Sequence, residues 1–93
     1  MAMSPDEALR FIQGAMRLGQ ITYSRHRSED EHHVSIADQY AAVMSATHAR
    51  WDRERGNWEI SGDGADGDPI TVIFAIVDNR VHTVTAFGGR HRD

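Results

Sequence analysis

Ile70-Thr71-Val72-Ile73-Phe74-Ala75-Ile76-Val77, then Asp78-Asn79, then Arg80-Val81-His82-Thr83-Val84-Thr85-Ala86-Phe87 is the stretch on which the fold of this chain turns. Its first arm is apolar on both alternating faces, with Ile70, Val72, Phe74 and Ile76 on one and Ile73, Ala75 and Val77 on the other. A central strand covered on both faces reads this way, whereas a half-covered strand alternates apolar with polar. The run is short and rich in β-branched residues, which disfavours a helix, and Asp-Asn tolerates the positive φ angles of a tight hairpin turn. Residues 70–87 therefore predict a hairpin that the rest of the chain must cover.

Upstream, residues 48–53 and 57–61 also alternate with period two around Arg55-Gly56, and Trp51, Trp58 and Ile60 are their inward candidates. Core packing of the two indoles is preferred over base stacking because of their large apolar area. Ser4-Pro5-Asp6-Glu7 has the chemistry of a helix start: a cap, a proline in the first turn and a glutamate three residues after the cap. Ala8, Phe11, Ile12, Ala15, Met16 and Leu18 follow at helical spacing until Gly19. Ser35 begins a second helix with Asp38 three residues on, and Ile36, Tyr40, Val43, Met44 and Thr47 mark its period. Gln20 to Ser24 is a short run of β-formers, expected beside the late strand through Thr85. Residues 25–33 are polar throughout and read as an exposed helix or a loop.

Helices followed by strands argue an α+β fold, with N-terminal helices packed on one face of a four-stranded antiparallel sheet. At 93 residues this is a single domain over 1–93, its core spanning about 4–87 and residues 88–93 forming a frayed tail. No internal repeat or second domain is visible.

The chain has no cysteine, which excludes disulfides and thiolate metal sites and makes the cytoplasm the expected location. No apolar run is long enough for a membrane span, and the N-terminus has no signal pattern, so no membrane partner is expected. A formal net charge of -4 counts against indiscriminate phosphate binding. The acids, however, concentrate at 29–31 and 63–68, apart from the arginines at 50, 53 and 55. Asp63, Asp66 and Asp68 invite a calcium reading, but the ligand spacing of a helix-flanked calcium loop and its closing glutamate are missing, so a solvated turn is preferred. His26, His32 and His33, near Glu29 and Asp30, suggest zinc only if another element supplies a ligand, so no metal or other cofactor is expected.

Ser24-Arg25-His26, the acidic residues after it, His33-Val34-Ser35 before the second helix and the late strand Val84-Thr85-Ala86-Phe87 carry a resemblance. They resemble a family of small bacterial domains of unknown function with a Ser-x-His-Ala motif, arginines on a short helix, Gly-Ile-Ser opening a second helix, and a last strand ending Ile-Thr-Val-Tyr. Asp30 and His33 stand where that pattern has its arginines. The family is similar to the RelE and BrnT toxins, compact α+β proteins whose best-known members are ribonucleases. The resemblance thus implies a RelE/BrnT-like fold and a toxin-like, metal-independent endoribonuclease. Its expected partners are an RNA substrate, a cognate antitoxin or other protein, and a second copy of the chain in a homodimer.

Ser24, His26 and Thr85 carry over from the pattern. Arg53 and Arg55 join them on account of their place at a sheet edge. His26 serves as base or acid with His33 as its complement, Arg53 or Arg55 clamps the phosphate, and Thr85 donates a hydrogen bond or orients the imidazole. Alternatively, His26 is a structural residue that ties the first strand to the sheet through Thr85. Simple alternation puts His82 on the other face from Thr85 and outside the site. A reading from a different class is a non-catalytic protein-binding or regulatory module, favoured by the acidic balance and the missing arginines.

Overall fold

The computed structural model describes residues 3–23 and 34–88. Helix α1, Pro5–Leu18, starts at a reciprocal cap: Ser4 Oγ accepts the Glu7 N–H at 3.1 Å, and Glu7 Oε1 accepts the Ser4 N–H at 2.8 Å. The first of these orphan donors belongs to the helix and the second to its cap, so both are satisfied where the chain enters. Gly19 ends α1 at φ 73°, a left-handed conformation that costs glycine nothing, and Gln20 N–H closes back on Ala15 O at 2.8 Å. That tight stop sends the chain directly into β1, Ile21–Tyr23.

Helix α2, Ile36–Ser45, is capped by Ser35, whose Oγ accepts the Asp38 N–H at 3.1 Å. Its buried face is Gln39, Ala42 and Val43, while Ile36 and Tyr40 are exposed, so the face is rotated from the stripe read in the sequence. Close approach to the sheet is the cause. A Cβ placed on Gly62 would overlap the Ala42 carbonyl oxygen, so the helix rests on a glycine and presents small residues there. Gln13 on α1 then donates from Nε2 to Val43 O at 3.0 Å and Ala46 O at 3.3 Å, tying α1 to the C-terminal end of α2, where Val43 O also accepts the Ala46 N–H.

Four further strands follow: β2, Ala49–Asp52; β3, Asn57–Asp63; β4, Pro69–Val77; and β5, Arg80–Gly88. The sheet order is β1-β5-β4-β3-β2. The architecture is α+β as expected, but among the described residues the sheet has five strands and is mixed rather than four-stranded and antiparallel, because β1 runs parallel to β5. Period-two patterning fixes neither strand direction nor whether a three-residue run pairs at all. Short turns compel β2 to β5 to run antiparallel, while β1, entering from α1, takes the open edge of β5. Gly88 belongs to β5, and the remainder of the expected tail lies outside the described residues.

The hairpin at 70–87 forms as read, with Asp78 at φ 52° and Asn79 at φ 63° making the turn. β4 is central, and Ile70, Val72 and Phe74 are buried with Trp58 and Ile60 of β3 and Ala8, Ile12 and Val43 of the helices in one core. Its second face is unevenly covered: Thr71 is fully buried, Ile73 and Ala75 are half-buried and Val77 is exposed.

β5 contains a bulge. Ile73 pairs with Thr85 and Phe74 with Thr83, which leaves Val84 without a partner. One extra residue resets the alternation. Val81, Thr83 and Ala86 therefore all face the helices and are buried, whereas His82, Thr85 and Phe87 all face the other way.

Candidate functional site

The face of the sheet opposite α1 and α2 carries most of its polar side chains. Across it, register sets Thr85 beside Ile73, Ile73 beside Glu59, and Glu59 beside Arg50, whose Nη1 lies 3.4 Å from Glu59 Oε1. One row along, Ser61 and Thr71 hydroxyls are 2.6 Å apart. Toward the other end of β5, Thr22 of β1 lies opposite His82, with Thr22 Oγ1 2.7 Å from His82 Nδ1.

His82 corrects the reading by alternation, because the bulge at Val84 returns it to the same face as Thr85. Nothing in the residues 80–87 signals the bulge; Val and Thr alternate through it without a glycine to mark it. Arg50 was also passed over. Its signal was present, since period two from Trp51 sends Arg50 to the opposite face, beside Glu59.

Of the expected site residues, Thr85 is half-buried on this face. Arg53 and Arg55 stand in the turn between β2 and β3, with Gly56 at φ 68° completing it. Asp52 organises that turn: its Oδ1 accepts the Glu54 N–H at 3.0 Å and the Arg55 N–H at 3.3 Å, and its Oδ2 lies 3.3 Å from Arg55 Nη1. Partial burial pushes the Asp52 carboxyl up, but these bonds from Arg55 and Glu54 outweigh it and hold the group below its ordinary value. Arg55 is thus engaged by Asp52, while Arg53 is exposed and has no ion pair among the described residues.

The turn does not meet Thr85. Two strand spacings, about 10 Å, separate β3 from β5, and the turn begins beyond Asn57, a further two residues from the row of Glu59 and Thr85. Ser24, His26 and His33 lie outside the described residues, as does the polar segment read as a helix or loop. The last described residue before them, Tyr23, is paired with Thr83 at the bulge, and burial raises its phenol pKa.

The tryptophans divide. Trp58 is buried in the core, but Trp51 is 45% exposed, a correction to its inward placement. β2 is an edge strand in the described sheet, and Trp51 stands against Trp58 of β3, the ring centroids 4.8 Å apart and tilted by 54°. A groove of about 490 Å³ opens here, between the start of α1 and the two turns at this end of the sheet.

The acidic loop is built as a turn: Gly64 N–H donates to Asp68 O at 2.7 Å, and Ala65 N–H donates to Asp38 Oδ1 at 3.0 Å, pinning it to the first turn of α2. Among the described residues no three His, Asp or Glu side chains gather in a way that would hold a metal. No helix among them is long and apolar enough to cross a membrane. No protein-family model matches the chain, and no match emerges among curated proteins or solved structures.

Proposed function

We propose that the chain is a toxin-like, metal-independent endoribonuclease of the RelE and BrnT kind, acting in the cytoplasm and working on the face of its sheet opposite α1 and α2. The observation that carries this reading is the bulge at Val84, which sets His82 and Thr85 on one face, with Thr22 holding the imidazole. His26, three residues after Tyr23 in the sequence, is the second imidazole that this reading assigns to the reaction.

The chemistry asked of such a face is transesterification. A base takes the proton of a ribose 2'-hydroxyl, the resulting oxygen attacks phosphorus, the P–O5' bond breaks, and an acid protonates the departing 5'-oxygen. The products are a 2',3'-cyclic phosphate and a 5'-hydroxyl, and neither oxidant nor metal enters the balance. His82 and His26 share the acid and base roles, with His33 as a further candidate. Thr85 donates to a non-bridging oxygen, and Arg50 supplies positive charge.

A second reading is favoured by two ion pairs. Arg50 with Glu59 and Arg55 with Asp52 already neutralise cations that phosphate would need, which suits a non-catalytic module that binds a protein partner. The test is incubation of purified protein with mixed-sequence RNA in the presence of a chelator, beside His82→Ala, His26→Ala and Thr85→Val at matched folding. Cleavage leaving cyclic phosphate ends, lost in the histidine variants, is the expected result. Intact RNA with the folded wild-type protein would instead favour the binding module, whose partner a cognate antitoxin-like protein would be.

A further inference from the structure

We infer that the groove at the turn end of the sheet is a nucleobase subsite, with Trp51 as its stacking platform. This rests on the RNA reading for its class of ligand, but the groove lies on the α1 side at the end of the sheet, across from the face that carries His82 and Thr85, so it concerns binding and does not require cleavage.

Three features of the groove point to a nucleotide. Its wall is aromatic: Trp51 leans on Trp58 and leaves nearly half of its surface exposed, while Met3 and Ile76 add apolar lining. Its rim is polar in a particular way, since Asp78 and Asn79 of the β4–β5 turn bring a carboxylate and an amide to the same groove. A carboxylate accepts hydrogen bonds from the exocyclic amino group of a base, as it does with cytosine. Lastly, the turn that brings Gly56 to the groove also carries the exposed Arg53, a cation suited to a backbone phosphate. At about 490 Å³ the groove falls within the roughly 300–1,000 Å³ usual for small-ligand sites.

Charge complementarity favours this occupant over a basic side chain of another protein. A lysine or arginine would meet Asp78 and the indole but would also approach Arg53. A nucleotide uses all three: the base stacks on Trp51, its amino edge meets Asp78, and its phosphate lies toward Arg53. The polar rim also sets a preference, because uracil and thymine have no exocyclic amino group to offer Asp78.

Short single-stranded deoxyoligonucleotides make the test independent of cleavage, since they have no 2'-hydroxyl to attack. Fluorescence anisotropy with labelled oligo(dC) and oligo(dT) should give tighter binding to oligo(dC). Trp51→Ala should weaken it about fivefold to a hundredfold, the range for losing one base–aromatic stack, and Trp51→Phe should restore part of the loss. Asp78→Asn, compatible with the positive φ at that position, should erase the preference for dC while leaving the melting temperature unchanged. Equal binding by wild type and Trp51→Ala would overturn the subsite, as would binding of a lysine- and arginine-rich peptide at this groove in place of either oligonucleotide. Binding that depends on Trp51 in a protein that cleaves no RNA would leave the subsite standing and remove the ribonuclease reading alone.

Discussion

Thr22 and His82 are bonded side chain to side chain, Oγ1 to Nδ1 at 2.7 Å, across the parallel junction of the sheet. The bond fixes one ring nitrogen and so the orientation of the imidazole on the face it shares with Thr85. His82→Ala should lower RNA cleavage by about 10²- to 10⁴-fold, the usual size of one acid–base group. Thr22→Val should lower it less, because the ring remains but its partner is gone. Equal rates in wild type and His82→Ala would remove His82 from the chemistry.

Phe74 is fully buried on β4, between the strands and both helices. Phe74→Ala should cost about 3–5 kcal/mol of stability, measured by urea unfolding. A loss near that of surface positions, under about 0.5 kcal/mol, would contradict its place in the core.

Two glycines should respond in opposite directions to the same substitution. Gly14, inside α1, has nothing within 4 Å of an added Cβ, so Gly14→Ala should stabilise the protein by about 0.5–1 kcal/mol through helix propensity. Gly62→Ala drives a methyl into the backbone of α2 at Ala42 and should destabilise by about 1–3 kcal/mol. Thermal melts of the two variants beside wild type decide the matter.

The acid limb of stability should depend on Glu7 and Asp52. The Ser4 N–H bond, then the Ser4 hydroxyl, lower the Glu7 pKa, and the Arg55 and Glu54 bonds lower that of Asp52 despite burial acting the other way. Folded values below unfolded ones mean that the stabilisation is fully present above the ordinary carboxylate range of about 4 and is lost as pH falls through the folded values. Glu7→Gln should therefore flatten the fall of the urea midpoint below about pH 4. An acid limb unchanged by this substitution would count against the cap as its source.

Local chemistry was the legible part of this chain. Both helix caps, the Gly19 stop and the Asp78-Asn79 turn were readable because each is decided by a few adjacent residues. Properties that depend on distant partners were not. The rotated face of α2 depends on Gly62, some twenty residues downstream of Ala42. The direction of β1 depends on which edge β5 leaves open. The phase of His82 depends on a bulge against β4 that no residue type announces. Trp51 read as core because its side chain is large and apolar, yet on an edge strand it leans on Trp58 and stays 45% exposed. Of the site residues expected from the sequence, Thr85 keeps its place on a polar face, whereas Arg53 and Arg55 belong to a turn at one end of the sheet.

The pairing of β1 with β5 also has a bearing on how the chain comes off the ribosome. Among the described residues Ile21 pairs with Val81, sixty residues later, so the partner strand of β1 is made when almost all of this sheet has been synthesised. Local helix formation at α1 can precede that moment, but the apolar stripe of Ala8, Leu9 and Ile12 must wait for a surface to cover. Translation thus passes through an interval in which a formed helix is exposed to chaperones and to other nascent chains, and it closes when the last strand arrives.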